Sequence, residues 1–260
     1  MRKLKIGLQL WSVHKALEQK ETAEKLILNI KKIGYEGVEL YNIDDLNEFN
    51  RIVSLLDKYN IPIIAAHCNY ENLDSKLNDI LNMYLKLGIK YIVVPISFDI
   101  TKSKTDMNST IQRLLEIQNI CTLNKIELYY HNHDCECIKM DGDYILNHIG
   151  RSGIKLEYDT HWLIRGGLDP YNIILSNFSS NLLHIKDIML INNADDFNLV
   201  DCAVGKGNLN LEKLIKCVTK TKIEWLIVEQ EYNSEVLNEQ IEDITTSFNQ
   251  LDEARRKYGN

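Results

Sequence analysis

The sequence predicts an α/β protein built as a single (β/α)8 (TIM) barrel, one domain over residues 1–260. Three observations predict it. Strand-like and helix-like apolar patterns alternate from end to end, and eight β/α units fit a chain of this length. Runs such as Tyr91-Ile92-Val93-Val94 are apolar at every position, as parallel strands covered on both faces are. Polar residues able to bind a metal collect where the strand patterns end, on the face where this fold carries its active site. A doubly wound open sheet usually places a glycine-rich phosphate turn after its first strand, and none is present here.

Lys5 to Leu10 reads as the first strand. A helix starting at Thr22 sets Ala23, Leu26, Ile27, Ile30 and Ile33 on one stripe, and Gly34 ends it. Gly37 to Leu40 is the second strand, ending beside Glu39, and Leu46, Phe49, Ile52, Val53 and Leu56 mark the second helix. The third strand is Pro62 to Ala66, with proline tolerated at its first position and His67 at its end. Leu77, Ile80, Leu81 and Tyr84 mark the third helix, closed by Gly88. After the fourth strand, Tyr91 to Val94, a polar loop over Asp99 to Asn108 leads to a helix with Ile111, Leu114, Leu115 and Cys121 inward. The fifth strand, Ile126 to Tyr129, breaks into Tyr130-His131-Asn132-His133-Asp134. A short helix follows from about Asp143 to Ile149, closed by Gly150. The sixth strand ends at Asp159, and Asp169-Pro170 reads as N-cap and first residue of the next helix. The seventh strand ends at His184 to Asp187, and a long polar loop over Leu190 to Asn208 contains Gly205-Lys206-Gly207. Leu211, Leu214, Ile215 and Val218 mark the seventh helix, the eighth strand ends at Glu229, and the last helix runs from about Ser234 to Lys257.

Composition narrows the class. Hydrophobic residues at 45% and charged residues at 26% match a globular protein, and a net charge of −7 opposes a general affinity for nucleic-acid phosphate. No secretory leader pattern and no bilayer-length apolar run is legible, so no membrane partner and a cytoplasmic location are expected. The six cysteines form no C-x-x-C pair, which fits reduced thiols.

The chemistry is expected from four strand ends. His131, Asp159, His184 and Glu229 follow strands five to eight, and two imidazoles with two carboxylates suit one divalent ion, Mn²⁺ or Zn²⁺ foremost, with Co²⁺ or Fe²⁺ as the others. A single histidine at a strand end is commonly a hydrogen-bonded structural residue; the signal is the coincidence over four successive strands. Lys186, two residues after His184, points to the same side of an extended strand and is a candidate for holding a substrate oxygen, or else a salt-bridge partner of Asp187 or Glu229. Glu157 precedes Asp159 by the same period and reads as a support for the ligands. Glu39, His67, Trp11 and His161 are candidate substrate contacts, and His133 a candidate acid–base group. Gly205-Lys206-Gly207 lacks the further residues of a phosphate loop.

Taken in order, several segments resemble the xylose-isomerase-like TIM-barrel superfamily of sugar (phosphate) isomerases and epimerases over almost the whole chain. They are Gly7-Leu8-Gln9-Leu10-Trp11-Ser12-Val13, Ile33-Gly34-Tyr35-Glu36-Gly37-Val38-Glu39-Leu40, His131-Asn132-His133-Asp134 with Glu136, Tyr158-Asp159-Thr160 before Trp162, His184-Ile185-Lys186-Asp187, Val204-Gly205-Lys206-Gly207 and Val228-Glu229-Gln230-Glu231. The resemblance implies a metal held by Glu, Asp, His and Glu; the last three fall on Asp159, His184 and Glu229, and the first position carries His131 instead. The His-Asn-His pattern is similar to the subgroup that includes inosose dehydratases and keto-sugar enzymes. A second departure is Trp162, where family epimerases often carry a histidine; here His161 comes one residue earlier. A DNA-repair nuclease on the same barrel needs ligands for three metals and a basic surface, which this acidic chain lacks.

A divalent ion on a carbonyl and its neighbouring hydroxyl acidifies the C–H between them by stabilising an enediolate, and a carboxylate or imidazole then takes the proton. Glu229 is the first choice of base, with His131 or His133 as partner. Isomerisation, epimerisation and dehydration all follow from that start, and a non-catalytic sugar-binding barrel is the rival of another class. The expected ligand is a small sugar or keto-sugar, with a homo-oligomer left open.

Overall fold

The computed structural model describes residues 3–95, 98–176, 179–193, 196–231 and 234–259. Eight parallel strands close into a barrel: β1 (Lys5–Gln9), β2 (Gly37–Leu40), β3 (Ile63–His67), β4 (Tyr91–Val94), β5 (Glu127–His131), β6 (Lys155–Asp159), β7 (Leu182–Ile185) and β8 (Trp225–Val228), each beside the next, with β8 closing on β1. The fold is a single (β/α)8 barrel, as the alternating pattern predicts.

Strand periodicity then places the side chains. Residues alternate across a strand, so one set faces the helices and the other fills the barrel. Ile6, Leu8, Val38, Leu128, Tyr130, Leu156, Leu183, Leu226 and Val228 belong to the large apolar shell between sheet and helices. The inner set is a separate small cluster of Ile64, Ala65, Val93, Tyr129, Leu182 and Ile227. A register shift between Val38 and Glu39 brings Ile64 into the barrel. Gly7 and Gly37 make room for it: a Cβ on either would stand 2.6 or 2.7 Å from an Ile64 side-chain carbon. One residue pair further along each strand, the inward set turns polar. Gln9, Glu39, His67, His131, Asp159 and His184 therefore gather above this plug, and their exposure ranges from 0 to 8%.

The outer helices are α1 (Lys20–Ile33), α2 (Leu46–Lys58), α3 (Tyr70–Lys86), α4 (Lys104–Leu123), α5 (Ile145–Arg151), α6 (Pro170–Ser176), α7 (Leu211–Val218) and α8 (Leu237–Tyr258). Gly34 closes α1 with φ +112°, its N–H bonded to the Ile30 carbonyl. α1 starts two residues before Thr22, whose hydroxyl donates to the carbonyls of Ala16 and Gln19. Asp169 accepts from the Tyr171 N–H in front of α6, as its placement before Pro170 predicts.

Four local expectations differ. The polar loop expected over Asp99 to Asn108 gives way at Lys104 to α4, because the Ser103 hydroxyl accepts from the Asp106 N–H and caps the helix there. The helix expected from Asp143 begins at Ile145, because Asp143 and Tyr144 pair with Met140 and Lys139 around Asp141-Gly142, both at positive φ as a tight hairpin requires. The loop expected over Leu190 to Asn208 contains an antiparallel ribbon, Asp187–Asn193 with Asp196–Cys202. Its arms carry β-forming Ile188, Ile191 and Val200, which outweigh the polar neighbours; residues 194 and 195 of the expected loop lie outside the described residues. α8 begins at Leu237 rather than Ser234, whose hydroxyl bonds Glu239 and the Val236 N–H ahead of the helix. Among the described residues no helix is long and apolar enough to cross a membrane.

Candidate functional site

The four expected ligands meet. His131 and Asp159 end β5 and β6, His184 lies on β7 directly opposite Asp159, and Glu229 follows β8 with its N–H on the Ile185 carbonyl. His184 Nδ1 stands 3.1 Å from Glu229 Oε2 and 3.9 Å from Asp159 Oδ2, and His131 Nε2 stands 4.0 Å from that same oxygen. One ligand atom from each of the four lies within 4.8 Å of every other. Ligands about 2.0–2.1 Å from a tetrahedral ion stand roughly 3.3 Å apart, so the set is close to a seat for one. The chemistry of the donors agrees: Asp159 Oδ2 is buried with no hydrogen-bond partner, while Oδ1 caps the turn Thr160–Arg165 by accepting from the Trp162 N–H. The Asn132 side chain accepts from the Asp159 N–H and so ties β5 to β6 at this level.

A second layer lies beneath. Glu157 Oε2 is 3.1 Å from His131 Nδ1, 3.2 Å from His184 Nε2 and 3.2 Å from His67 Nε2. Glu39 Oε2 is 2.5 Å from His184 Nε2, 3.4 Å from His67 Nε2, and accepts from the Gln9 amide at 2.9 Å. His67, His131, Glu157 and His184 are thus a second group with metal-binding spacing. It uses the opposite nitrogens of the same two rings. A neutral imidazole offers one lone pair and one N–H, so filling one seat turns the other nitrogen into a donor. The upper seat keeps two carboxylates and borders open space; the lower one then works as a hydrogen-bonding base that orients the rings.

Electrostatics reinforce the division. Burial opposes the charge on Glu39, but His67 and His184 outweigh it and hold the carboxyl down to about 2. Burial and the Glu39 charge push Glu157 up to about 7. Burial also raises Asp159, with Lys186 opposing. Burial works against charge on Glu229 as well, but Lys186 and His184 hold it well below the carboxylate range. Burial, then the neighbouring histidines, keep His131 neutral, whereas His184 gains more from Glu157 and Glu39 than burial costs it and is raised well above 6.5. Burial and Lys186 lower His133 to about 4.

Lys186 is fully inside, its ammonium 2.9 Å from Glu229 Oε2, 2.9 Å from Glu231 Oε1 and 3.7 Å from Asp159 Oδ2, and 5.2 Å from the Trp162 ring centre. It is therefore an ion-pair partner of Glu229, the plainer of its two expected roles, placed where it also borders the metal seat. Trp11 stacks on His14 at 4.0 Å and donates its indole N–H to Glu231 at 3.2 Å. A cavity of about 280 Å³ opens above the seat, walled by Trp11, Tyr41, His67, His131, His133, Trp162, Glu229 and Glu231 among others. Glu39 lies below it, and His161 turns away, its Nδ1 3.0 Å from Asp201 on the ribbon. Trp162 and Glu231 were not foreseen as cavity walls. Glu231 repeats the two-residue period from Glu229, a signal open to sequence reasoning; Trp162 depends on how the turn after Asp159 folds.

Gly205-Lys206-Gly207 wraps a carboxylate instead of a phosphate. Asp187 accepts from the N–H groups of Gly205, Gly207, Leu209 and Ile188. This fixes the loop behind β7 and, through it, the start of α7.

The solved structures of similar shape agree on the architecture. A sugar phosphate isomerase/epimerase from Parabacteroides distasonis superposes with a TM-score of 0.77 at 20% identity, over 96% of this chain and 93% of that one. The IolI protein with a bound zinc atom gives 0.71 at 15%, over 98% and 99%. The 3-keto-D-glucoside 4-epimerase YcjR from E. coli gives 0.63 at 15%, over 98% and 100%. No curated protein sequence matches the chain. The family model described as xylose isomerase-like TIM barrel matches residues 27–253, so the chain belongs to the xylose isomerase-like TIM-barrel family.

Proposed function

We propose that the protein is a divalent-metal-dependent isomerase or epimerase of sugars or keto-sugars that works by taking a proton next to a carbonyl. The observation that carries this reading is the convergence of His131, Asp159, His184 and Glu229 within 4.8 Å under an open cavity. Those four residues are the ligands, and Mn²⁺ or Zn²⁺ suits their mixed nitrogen and oxygen donors, with Co²⁺ or Fe²⁺ next. The ion supplies Lewis-acid polarisation of a carbonyl. The names of the similar structures, a sugar phosphate isomerase/epimerase, a zinc-containing IolI and a keto-glucoside epimerase, support the sugar class.

Every other role falls to side chains. Glu229 stays ionised because Lys186 faces it, so it is ready to accept a proton from carbon. His133, neutral near pH 7 and on the cavity wall, is the partner that holds or returns a proton at the adjacent atom; His131 shares the wall and orients it. His67 binds substrate oxygens, Lys186 holds Glu229 and Glu231 in place, and Trp11 and Trp162 exclude water. Glu39 acts on the substrate through His67 and His184.

Elemental analysis of protein purified without chelator should find about one divalent ion per chain. The loaded protein, offered ketoses, keto-inositols and 3-keto-glycosides in D₂O, should wash deuterium into the α-carbon of at least one. An accompanying enone absorbance would assign a dehydratase on the same site. Loaded protein that exchanges nothing across the panel would leave a sugar-binding barrel, and metal-free protein that Mn²⁺ and Zn²⁺ fail to stabilise against heat would refute the metal reading.

A further inference from the structure

The cavity above the metal seat does not stand alone. A second chamber of about 460 Å³ adjoins it, and Tyr41, Asn42 and His67 wall both. It runs outward from the C-terminal mouth of the barrel between α2 and α3, reaching Phe49 on one helix and Ile80 and Tyr84 on the other. The inner chamber, at about 280 Å³, has room for one sugar ring and opens towards the outer one along their shared walls, so a ligand longer than one ring has a continuous path into the second chamber.

The outer walls describe what fits. Three carboxamides, Asn42, Asn69 and Asn72, stand over an apolar floor of Phe49, Ile80 and Met83. Asp44 Oδ1 accepts from the amides of Asn42 and Asn72 at 3.0 and 2.9 Å, which fixes both in orientation. Asn69 precedes α3 without a side-chain bond to the helix. Neutral donors and acceptors above apolar side chains suit a hydroxylated ring, which has polar edges and C–H faces.

The charges describe what does not fit. Asp44 and Glu71 line the outer chamber, and Glu229 and Glu231 the inner one. Neither chamber has an arginine among its described lining residues; the outer chamber has Lys76 as its one lysine there, besides the His67 imidazole, which Glu39 and Glu157 already engage. The Lys186 ammonium is already 2.9 Å from both inner carboxylates. Glu71 sits in the first turn of α3 and answers the positive end of that helix. A phosphate ester would find carboxylates instead of the guanidinium forks that recognise it.

We propose that the outer chamber is a second sugar subsite, so that the ligand is a neutral glycoside of at least two units, one ring over the metal seat and the next between α2 and α3. This rests on the sugar-enzyme reading above and narrows it against a phosphorylated monosaccharide.

Binding separates the two claims. Zinc-loaded protein is titrated by calorimetry with methyl α-glucoside, glucose 6-phosphate, and the disaccharides maltose, cellobiose, trehalose and sucrose. At least one disaccharide should bind ten-fold or more tightly than methyl α-glucoside, and glucose 6-phosphate should bind no better than the methyl glucoside. Asn72→Trp fills the outer chamber from a half-buried position and should abolish the disaccharide advantage while leaving the methyl glucoside unchanged. Leu46→Trp, at an exposed outer wall, should reduce it in the same direction and serves if Asn72→Trp fails to fold. Tighter binding of glucose 6-phosphate, no disaccharide above the methyl glucoside, or an advantage that survives the filled chamber each overturns the subsite. Deuterium exchange on 3-keto derivatives of the same sugars is scored separately: its absence, with the binding pattern intact, refutes the reaction and leaves the subsite standing.

Discussion

Glu157→Gln is the sharpest probe of the metal centre. The carboxylate is wholly buried, and one oxygen faces three imidazole nitrogens at 3.1, 3.2 and 3.2 Å. It accepts the N–H of His131 at Nδ1 and so leaves Nε2 as the nitrogen that faces the upper seat. Glutamine keeps the shape and can turn its one carbonyl oxygen to the rings, but it leaves an N–H₂ in place of the buried, unpartnered Oε1 and removes a negative charge near the cation. Losing such an outer partner typically lowers metal affinity about 10- to 100-fold, or about 1.4–2.7 kcal/mol. Metal-free stability should move less, within about 1 kcal/mol, since burial and Glu39 push the Glu157 carboxyl up to about 7 and glutamine mimics its protonated form. The assay is a competitive chelator titration of Zn²⁺, with urea unfolding of the metal-free protein beside it. An unchanged Zn²⁺ affinity would refute the supporting role. A loss as large as that of Asp159→Asn would make Glu157 a ligand and move the ion down to His67, His131, Glu157 and His184.

Further outcomes follow from the same geometry. His131→Ala should cost as much metal affinity as Asp159→Ala, whereas His131→Glu should retain metal and shift the pH profile of exchange; an unchanged metal content in His131→Ala, measured by elemental analysis, would remove it from the ligand set. Glu36 is held below 4.5 despite partial burial, by Arg255, Lys3 and the Ile6 N–H. A carboxyl depressed in the fold stabilises it above its unfolded value and loses that contribution as pH falls through the folded one, so Glu36→Gln should flatten the stability loss below about pH 4.5 in acid titrations monitored by circular dichroism. Gly207→Ala would put a Cβ 2.3 Å from the Ile188 carbonyl and 2.4 Å from Asp187 Oδ1; the loop has to shift, costing about 2–3 kcal/mol and roughly 5–10 °C in melting temperature by calorimetry.

Much of the protein was legible in one dimension because the relevant physics is local. Strand and helix periods, helix-ending Gly34 and the apolar run at Tyr91 to Val94 depend on near neighbours, and they specify eight β/α units. The fold then carries one inference further: if parallel strands close a barrel, the residues at their C-terminal ends must face one another, so His131, Asp159, His184 and Glu229 were traceable to a shared place from their position in each run. Local signals also misled where β-forming residues were diluted by polar ones, as in the ribbon Asp187–Asn193 and Asp196–Cys202. Tertiary structure alone decided the rest. Which nitrogen of His131 faces Asp159 and which faces Glu157 depends on strand stagger, which sets side-chain height inside the barrel. His161 and Trp162 are adjacent in sequence and their rings touch edge to face, yet one reaches the ribbon and the other walls the cavity, because successive residues of the turn after Asp159 point in different directions. The outer chamber is the clearest case: Asn42, Asn69 and Asn72 look like ordinary loop residues, and only the packing of α2 against α3 leaves the space they border.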